Sequence, residues 1–381
     1  MEIDDWILPL YKIYSDDEDV NLITKIIKRG SEWAIGPEIQ EFENAIANRT
    51  NSDYCICLNS GTSALHATLL SYGITSGDEV IVPSFSFIST ANSVLFVNAT
   101  PKFSDIEEST FGLNPKLLSN NLSSKTKAVM PMDYGGTSCN ISEIKDFCDE
   151  NKILLIEDAA ESLGSTFHGK PVGSISDASI FSFCGNKVLT TGEGGAVVTN
   201  SKKIADEIKL IRSHGRLDKI NYFNNPSESS YDGLGYNWRM SSITAGLGLS
   251  QIQKLDKIIN LRKKNASYIN SRLKKHSEIK IPIPLDGVDH IYQMYTIRLL
   301  NENMRNKLHK FLISKKIFSK VYFEPIHEKT FYKNKFGNLD LPITQKISKE
   351  ILTLPLYPNM SNDEMEYLCN SISEFFENYE N

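Results

Sequence analysis

No apolar stretch in this chain approaches the roughly 18 residues that a membrane-crossing helix needs, so nothing in it reads as a transmembrane span. The six cysteines (Cys55, Cys57, Cys139, Cys148, Cys184, Cys369) form no C-x-x-C pair and no disulfide-framework spacing, which fits free thiols in a reducing compartment. Acidic residues outnumber basic ones, 47 to 41, giving a formal net charge of -6 that no Lys/Arg stripe offsets, which argues against nucleic acid as the main partner. The seven histidines are scattered without ligand spacing, so no metal site is expected. No G-x-G-x-x-G follows a strand and no G-x-x-x-x-G-K-[ST] occurs, which removes the common dinucleotide and nucleotide-triphosphate cradles. The start, Met1-Glu2-Ile3-Asp4-Asp5, is acidic and lacks the form of a signal peptide. These absences predict a soluble, cytoplasmic protein.

What is there is an ordinary globular composition, 40% hydrophobic and 23% charged over 381 residues, enough for one large and one smaller domain. Residues 1–18 read as an arm, 19–250 as a large α/β domain and 251–381 as a smaller α+β domain. Between 54 and 200, short apolar runs (54–58, 79–82, 100–104, 128–130, 153–156 and the 178–199 pair) alternate with helical segments. That alternation predicts a mostly parallel sheet. The polar stretch 217–233 reads as a surface excursion, and the periodicity from 242 to 275 predicts one long helix. Strands are expected over 292–299 and 320–323, and helices over 305–315 and 362–378.

Lys187 concentrates the chemistry. The strand-like run 179–183 leads through Cys184-Gly185-Asn186 to it, and Thr190-Thr191-Gly192-Glu193-Gly194-Gly195 leads on to a second run at 196–199. A lysine between two buried strands on a glycine-bearing loop is poorly placed as a solvated charge and well placed to meet a bound carbonyl. Upstream, Ile153-Leu154-Leu155-Ile156-Glu157-Asp158 sets an acid at the end of another buried run. Together they suggest a Schiff base between Lys187 and pyridoxal 5′-phosphate, with Asp158 keeping the pyridine nitrogen protonated. Two unit charges ~4 Å apart attract by about 4 kcal/mol at an effective dielectric of about 20, enough to bias that proton strongly. A third element is the run 54–58 leading into Asn59-Ser60-Gly61-Thr62-Ser63 and a helix, the form of an anion site at a helix N-terminus. Read alone, the same residues are better explained as an N-cap. The Lys187 and Asp158 context favours a phosphate cradle.

Further segments join these in a fixed order: Gly36-Pro37 with Phe42-Glu43, Ser60 to His66, Val82 to Asn92, Glu157 to Ser162, Phe181 to Lys187, Gly192 to Gly195, and Gly235-Tyr236-Asn237-Trp238-Arg239-Met240. The ordered set, spread over nearly the whole chain, resembles the DegT/DnrJ/EryC1/StrS family of pyridoxal-phosphate sugar aminotransferases. The resemblance implies an aspartate-aminotransferase-like α/β fold (fold type I) working as a homodimer with the active site at the subunit interface. It implies that Lys187 forms the Schiff base and then moves a proton, and that Asp158 pairs with the pyridine nitrogen. Gly61, Thr62 and Ser182 would hold the phosphate, Phe87 would stack on the ring, and Glu161 would lie near the ring hydroxyl. Asn237 would reach the phosphate from the partner subunit. In dehydratases of the family a histidine replaces the lysine, so Lys187 argues for transamination.

The form Cys184-Gly185-Asn186-Lys187 with the glycine-rich run after it looks most like 4-aminotransferases of nucleotide-linked 4-keto-6-deoxy sugars. L-Glutamate is then the implied amino donor and a nucleotide-linked keto sugar the acceptor. A 3-keto sugar, or a UDP- or dTDP-linked one, is the alternative within the fold, and a non-catalytic binding protein is the alternative outside it. Asp133-Tyr134-Gly135-Gly136, Cys184 and the 217–233 excursion depart from the pattern. His327, in Glu324-Pro325-Ile326-His327, could polarise a sugar hydroxyl or cap local backbone. Arg212 and Arg216, in Arg212-Ser213-His214-Gly215-Arg216, could meet a diphosphate or belong to a solvated loop.

Overall fold

The computed structural model describes residues 5–216 and 230–379. The acidic first four residues, and positions 217–229 of the polar excursion, lie outside the described residues. Strands β1 (Tyr54–Leu58), β2 (Glu79–Pro83), β3 (Thr100–Ser104), β4 (Thr126–Val129) and β5 (Leu154–Asp158) are followed by a small hairpin, β6 (Thr166–Phe167) and β7 (Lys170–Pro171). Then come β8 (Ala178–Ser182) and β9 (Gly195–Thr199). Seven of these form one sheet in the order β1-β9-β8-β5-β4-β2-β3. The strands share one direction except β9, which runs antiparallel to both neighbours. The expected mostly parallel mixed sheet is what the chain builds.

Both faces of the sheet are covered, as parallel sheets require. In β1, Ile56 and Leu58 face one core while Cys55 and Cys57 face the other, the period-two alternation of a strand. The order of helices is α1 (Asp17–Arg29), α2 (Pro37–Thr50), α3 (Gly61–Ser71), α4 (Ser89–Phe96), α5 (Ile141–Asn151), α6 (Lys202–Arg212), α7 (Ser242–Gln253) and α8 (Leu255–Leu273). Helices α3, α4 and α6 pack on the first face. Helices α2, α7 and the first half of α8 pack on the second face. Short strand β10 (Ile279–Lys280), β11 (Val288–Asp289, paired with β6) and β12 (Tyr295–Leu299) precede α9 (Glu302–Ser314), α10 (Thr330–Phe336) and α11 (Pro342–Glu350). Strand β13 (Ile351–Leu354) then completes the antiparallel sheet β10-β12-β13, and α12 (Asn362–Tyr379) closes the chain. That second core takes Ala266, Ile269 and Leu273 from α8, so one helix spans both cores. Leu8 of the arm is fully buried in it.

Three local expectations change. The long helix predicted over 242–275 is two helices, broken at Lys254 (φ -101°, ψ 0°). The buried Lys254 ammonium is drawn to Asp16 Oδ1 (2.6 Å) and Asp19 Oδ1 (2.8 Å), partners that local periodicity cannot report. Residues 320–323 contribute a single bridge, Lys320 to Thr353, instead of a strand. Strand β12 begins at Tyr295, because residues 291–294 bond to the turn at Gly135-Gly136.

A buried ion pair ties α2 and α6 to β1. Arg212 Nη1 donates to Glu43 Oε1 and to the carbonyl of Cys57, both at 2.6 Å, and the amide of Cys57 donates back to Glu43 Oε1 at 2.9 Å. Removing one member strands the other in an apolar interior. We therefore expect Arg212→Met to lower unfolding stability by about 3 kcal/mol in urea titrations, and Glu43→Leu in the same chain to recover much of that loss.

Candidate active site

The carboxyl ends of β5 and β8 meet at one edge of the sheet, since Asp158 pairs with Ile180 in a parallel register. Ligands of open α/β sheets bind beyond this edge. A cavity of about 440 Å³ lies there, lined among others by Gly61, Thr62, Phe87, Asp158, Glu161, Ser182 and Lys187. Seven of the sequence-derived positions thus meet in one place.

Each is delivered by a nameable piece of local structure. Ser60 caps α3, its hydroxyl accepting from the amide of Ser63 at 3.1 Å, and Gly61 and Thr62 form the first turn at the cavity wall. A Cβ at Gly195 would sit 2.4 Å from the carbonyl group of Ser60, so only glycine lets β9 pin this turn. A Cβ on Gly61 would come 3.0 Å from Cβ of Ser182, which leaves the two backbones close enough to serve one anion. Asp158 is buried at the end of β5. Thr90 Oγ1 donates to its Oδ2 at 2.7 Å, and the amide of Ala160 donates to its Oδ1 at 3.3 Å. Burial pushes its pKa up, against the pull of Thr90, Ala160 and Lys187. Lys187 Nζ donates to Glu161 Oε1 at 3.1 Å, and Glu161 Oε2 accepts from the amide of Gly135 at 2.9 Å. Phe87 is 58% exposed although it lines the cavity, an aromatic face open to a planar ligand.

This donor set fits pyridoxal phosphate. A lysine amine, a buried carboxylate, a helix N-terminus with hydroxyls and an open aromatic face each match one part of that molecule.

The chain matches the DegT/DnrJ/EryC1/StrS aminotransferase family profile over residues 14–373. It belongs to that family. A GDP-perosamine synthase of Escherichia coli O157:H7 is 35% identical over 345 residues, covering 90% of this chain and 91% of that one. A GDP-perosamine synthase of Vibrio cholerae is 32% identical over 371 residues, covering 97% and 99%. Among solved structures, Helicobacter pylori PseC, an aminotransferase involved in the biosynthesis of pseudoaminic acid, superposes with a TM-score of 0.92 at 26% identity, covering 97% of this chain and 99% of that chain. The PLP form of the putative sugar aminotransferase Spr1654 of Streptococcus pneumoniae superposes at 0.90, also at 26% identity, covering 97% and 99%. As a member of the DegT/DnrJ/EryC1/StrS family this protein is a pyridoxal-phosphate-dependent sugar aminotransferase.

Four sequence-derived residues lie away from the cavity. Asn237 is exposed outside it, paired with Ser213. Arg212 is committed to Glu43 and Cys57. Arg216 is buried near Tyr231 and lines a different pocket with Arg212 and Arg239. His327 is buried beneath Ser84, whose hydroxyl meets its Nδ1 at 2.6 Å and accepts from its amide at 2.9 Å, and burial lowers its pKa. Conversely, Tyr11 of the arm and Tyr322 and Phe323 line the cavity, and sequence reading had no signal for them. They come from irregular segments more than a hundred residues from Lys187.

The raised pKa of Asp158 gives a pH test with a defined sign. The buried carboxyl favours its protonated form, so its contribution to stability is present below the ordinary carboxylate pKa and is lost as pH rises through the raised value. Cofactor-free Asp158→Asn is therefore expected to melt higher than cofactor-free wild type at pH 7, with the gap closing towards pH 4, while its affinity for pyridoxal phosphate falls. Differential scanning calorimetry across that range, with a cofactor titration, checks both.

Proposed function

We propose that the enzyme takes the amino group of L-glutamate and delivers it to the C4 ketone of a GDP-linked 4-keto-6-deoxy sugar, as a GDP-perosamine synthase would. The product would serve as an amino sugar for a surface polysaccharide or glycan. The observation that carries this reading is the meeting of Lys187, Glu161 and Asp158 on one cavity, in a chain 35% and 32% identical to two GDP-perosamine synthases over most of its length.

When bound, pyridoxal phosphate supplies an electron sink for the charge that remains at Cα of the amino donor after its proton leaves. Lys187 would hold the cofactor covalently at rest and, once displaced by the donor, would carry that proton as a free amine. Glu161, bonded to Lys187 and anchored by Gly135, would keep the amine aimed. Asp158, oriented by Thr90, would keep the pyridine nitrogen protonated. Gly61, Thr62 and Ser182 would take the phosphate, and Phe87 would cover one face of the ring. Asn237, exposed outside its own cavity, would enter the partner's in a homodimer. The cysteines, free at every described position, support a reducing cytoplasm as the place of work. Arg212 is left out of the sugar site, being committed to Glu43 and Cys57, whereas His327 is bonded to Ser84 through Nδ1 and keeps a buried Nε2 with no partner among the described residues.

The test is the visible spectrum of purified, cofactor-loaded protein before and after L-glutamate, followed by a screen of GDP-, UDP- and dTDP-linked 3-keto and 4-keto sugars. Glutamate should abolish the visible band, the GDP-linked 4-keto sugar should restore it fastest, and Lys187→Ala should do neither. A band untouched by glutamate contradicts the donor, and faster recovery with a 3-keto or non-GDP sugar contradicts the acceptor.

A further inference from the structure

Lys187 is gripped from outside its own loop. Gln293, buried just before β12, lays its side-chain amide along the backbone on either side of the lysine. Its Nε2 donates to the carbonyl of Asn186 at 2.8 Å, and its Oε1 accepts from the amide of Val188 at 2.7 Å. Only a primary amide offers a donor and an acceptor in this arrangement. The backbone of Gln293 is itself fixed. Buried Arg262, on α8, donates from Nε to the carbonyl of Tyr292 at 2.7 Å and from Nη2 to that of Gln293 at 2.8 Å. Burial lowers the guanidinium pKa to about 10, yet Arg262 is spent on these two carbonyls.

The same segment also reaches the other end of the lysine. The amides of Ile291 and Met294 donate to the carbonyls of Gly136 (2.8 Å) and Gly135 (3.0 Å). Gly136 has φ +99°, and a Cβ there would lie 2.6 Å from the nitrogen of Gln293, so the contact demands glycine. The amide of Gly135 in turn holds Glu161, which holds Lys187 Nζ. A closed circuit results: residues 291–294 fix the backbone of Lys187 through Gln293 and its amine through the Gly135 turn and Glu161.

We propose that Gln293 is a positioning residue for Lys187, setting where the amine sits for proton transfer through its double bond to Asn186 and Val188. Gln293 does not line the cavity, so it acts through the lysine loop and not by touching substrate. The proposal rests on Lys187 as the cofactor-bearing lysine. Misplacement of a reacting group by about 1 Å can cost roughly 100-fold in rate, and a loop freed of two bonds moves on that scale.

The test compares cofactor-loaded wild type with Gln293→Met, which has similar length and makes neither bond, and Gln293→Glu, which keeps the acceptor for Val188 and loses the donor to Asn186. Three readouts are taken: amide hydrogen exchange at Val188 in the cofactor-free proteins, the pH midpoint at which the visible band of the lysine-linked cofactor titrates, and the glutamate half-reaction with ordinary and 2-deuterated donor. Gln293→Met should exchange at Val188 at least ~10-fold faster. It should shift the midpoint and slow the half-reaction by ~10–100-fold with a larger isotope effect. Cofactor affinity should stay within about threefold, and Gln293→Glu should fall between Gln293→Met and wild type. Wild-type midpoints and isotope effects in both variants overturn the proposal, even if their melting temperatures fall. If Gln293→Met does not fold, Gln293→Glu decides by the same readouts. A lysine-linked band persisting in Lys187→Ala would overturn the assignment of the lysine and the role of Gln293 with it, whereas wild-type readouts in the Gln293 variants overturn the role of Gln293 alone.

Discussion

The parallel pairing of β5 with β8 sets the geometry on which the chemistry depends. Because Asp158 lies opposite Ile180, the ends of the two strands open at the same edge, and the loops beyond them need only a few residues to bring Glu161 and Lys187 together. A second constraint is the close approach of β9 to the turn before α3, which Gly195 alone permits. It places the helix N-terminus on the same cavity as the acid and the lysine. Burial of the sheet on both faces then makes the edge rigid, and rigid edges are where catalytic groups can be held without their own entropy cost.

Electrostatics within the site follow from that burial. A carboxylate taken out of water is unfavourable until a cation faces it, and Asp158 is held towards its neutral form by its surroundings. The hydroxyl of Thr90, itself bonded to Ser86, opposes this and fixes the orientation of Oδ2. In the proposed role of Asp158, a cationic ring nitrogen beside it would relieve a cost already built into the fold. Lys187 is treated differently: it has Glu161 as a counter-charge and a backbone clamped from outside its own loop by Gln293.

Much of this was legible in the sequence, and the boundary is physical. Strand runs such as 54–58 and 153–156 and the lysine between two buried runs are local patterns, and the fold keeps them. The motif segments also gave the family in advance of any geometry. What local pattern could not give was anything decided by distant partners. Lys254, where the helix breaks, is paired with Asp16 and Asp19, more than two hundred residues away. Arg212 looked available for a diphosphate because Glu43, its partner, lies far back in the chain. Tyr11, Tyr322 and Gln293 reach the site region from irregular segments, where periodicity carries no information.

Every proposed role at this site follows from Lys187 as the residue that would carry the cofactor. Borohydride reduction of the cofactor-loaded protein, followed by digestion and peptide mass spectrometry, reads this directly. A single phosphopyridoxyl adduct, on Lys187, is the expected result. An adduct on another lysine, with Lys187 unmodified, would contradict it.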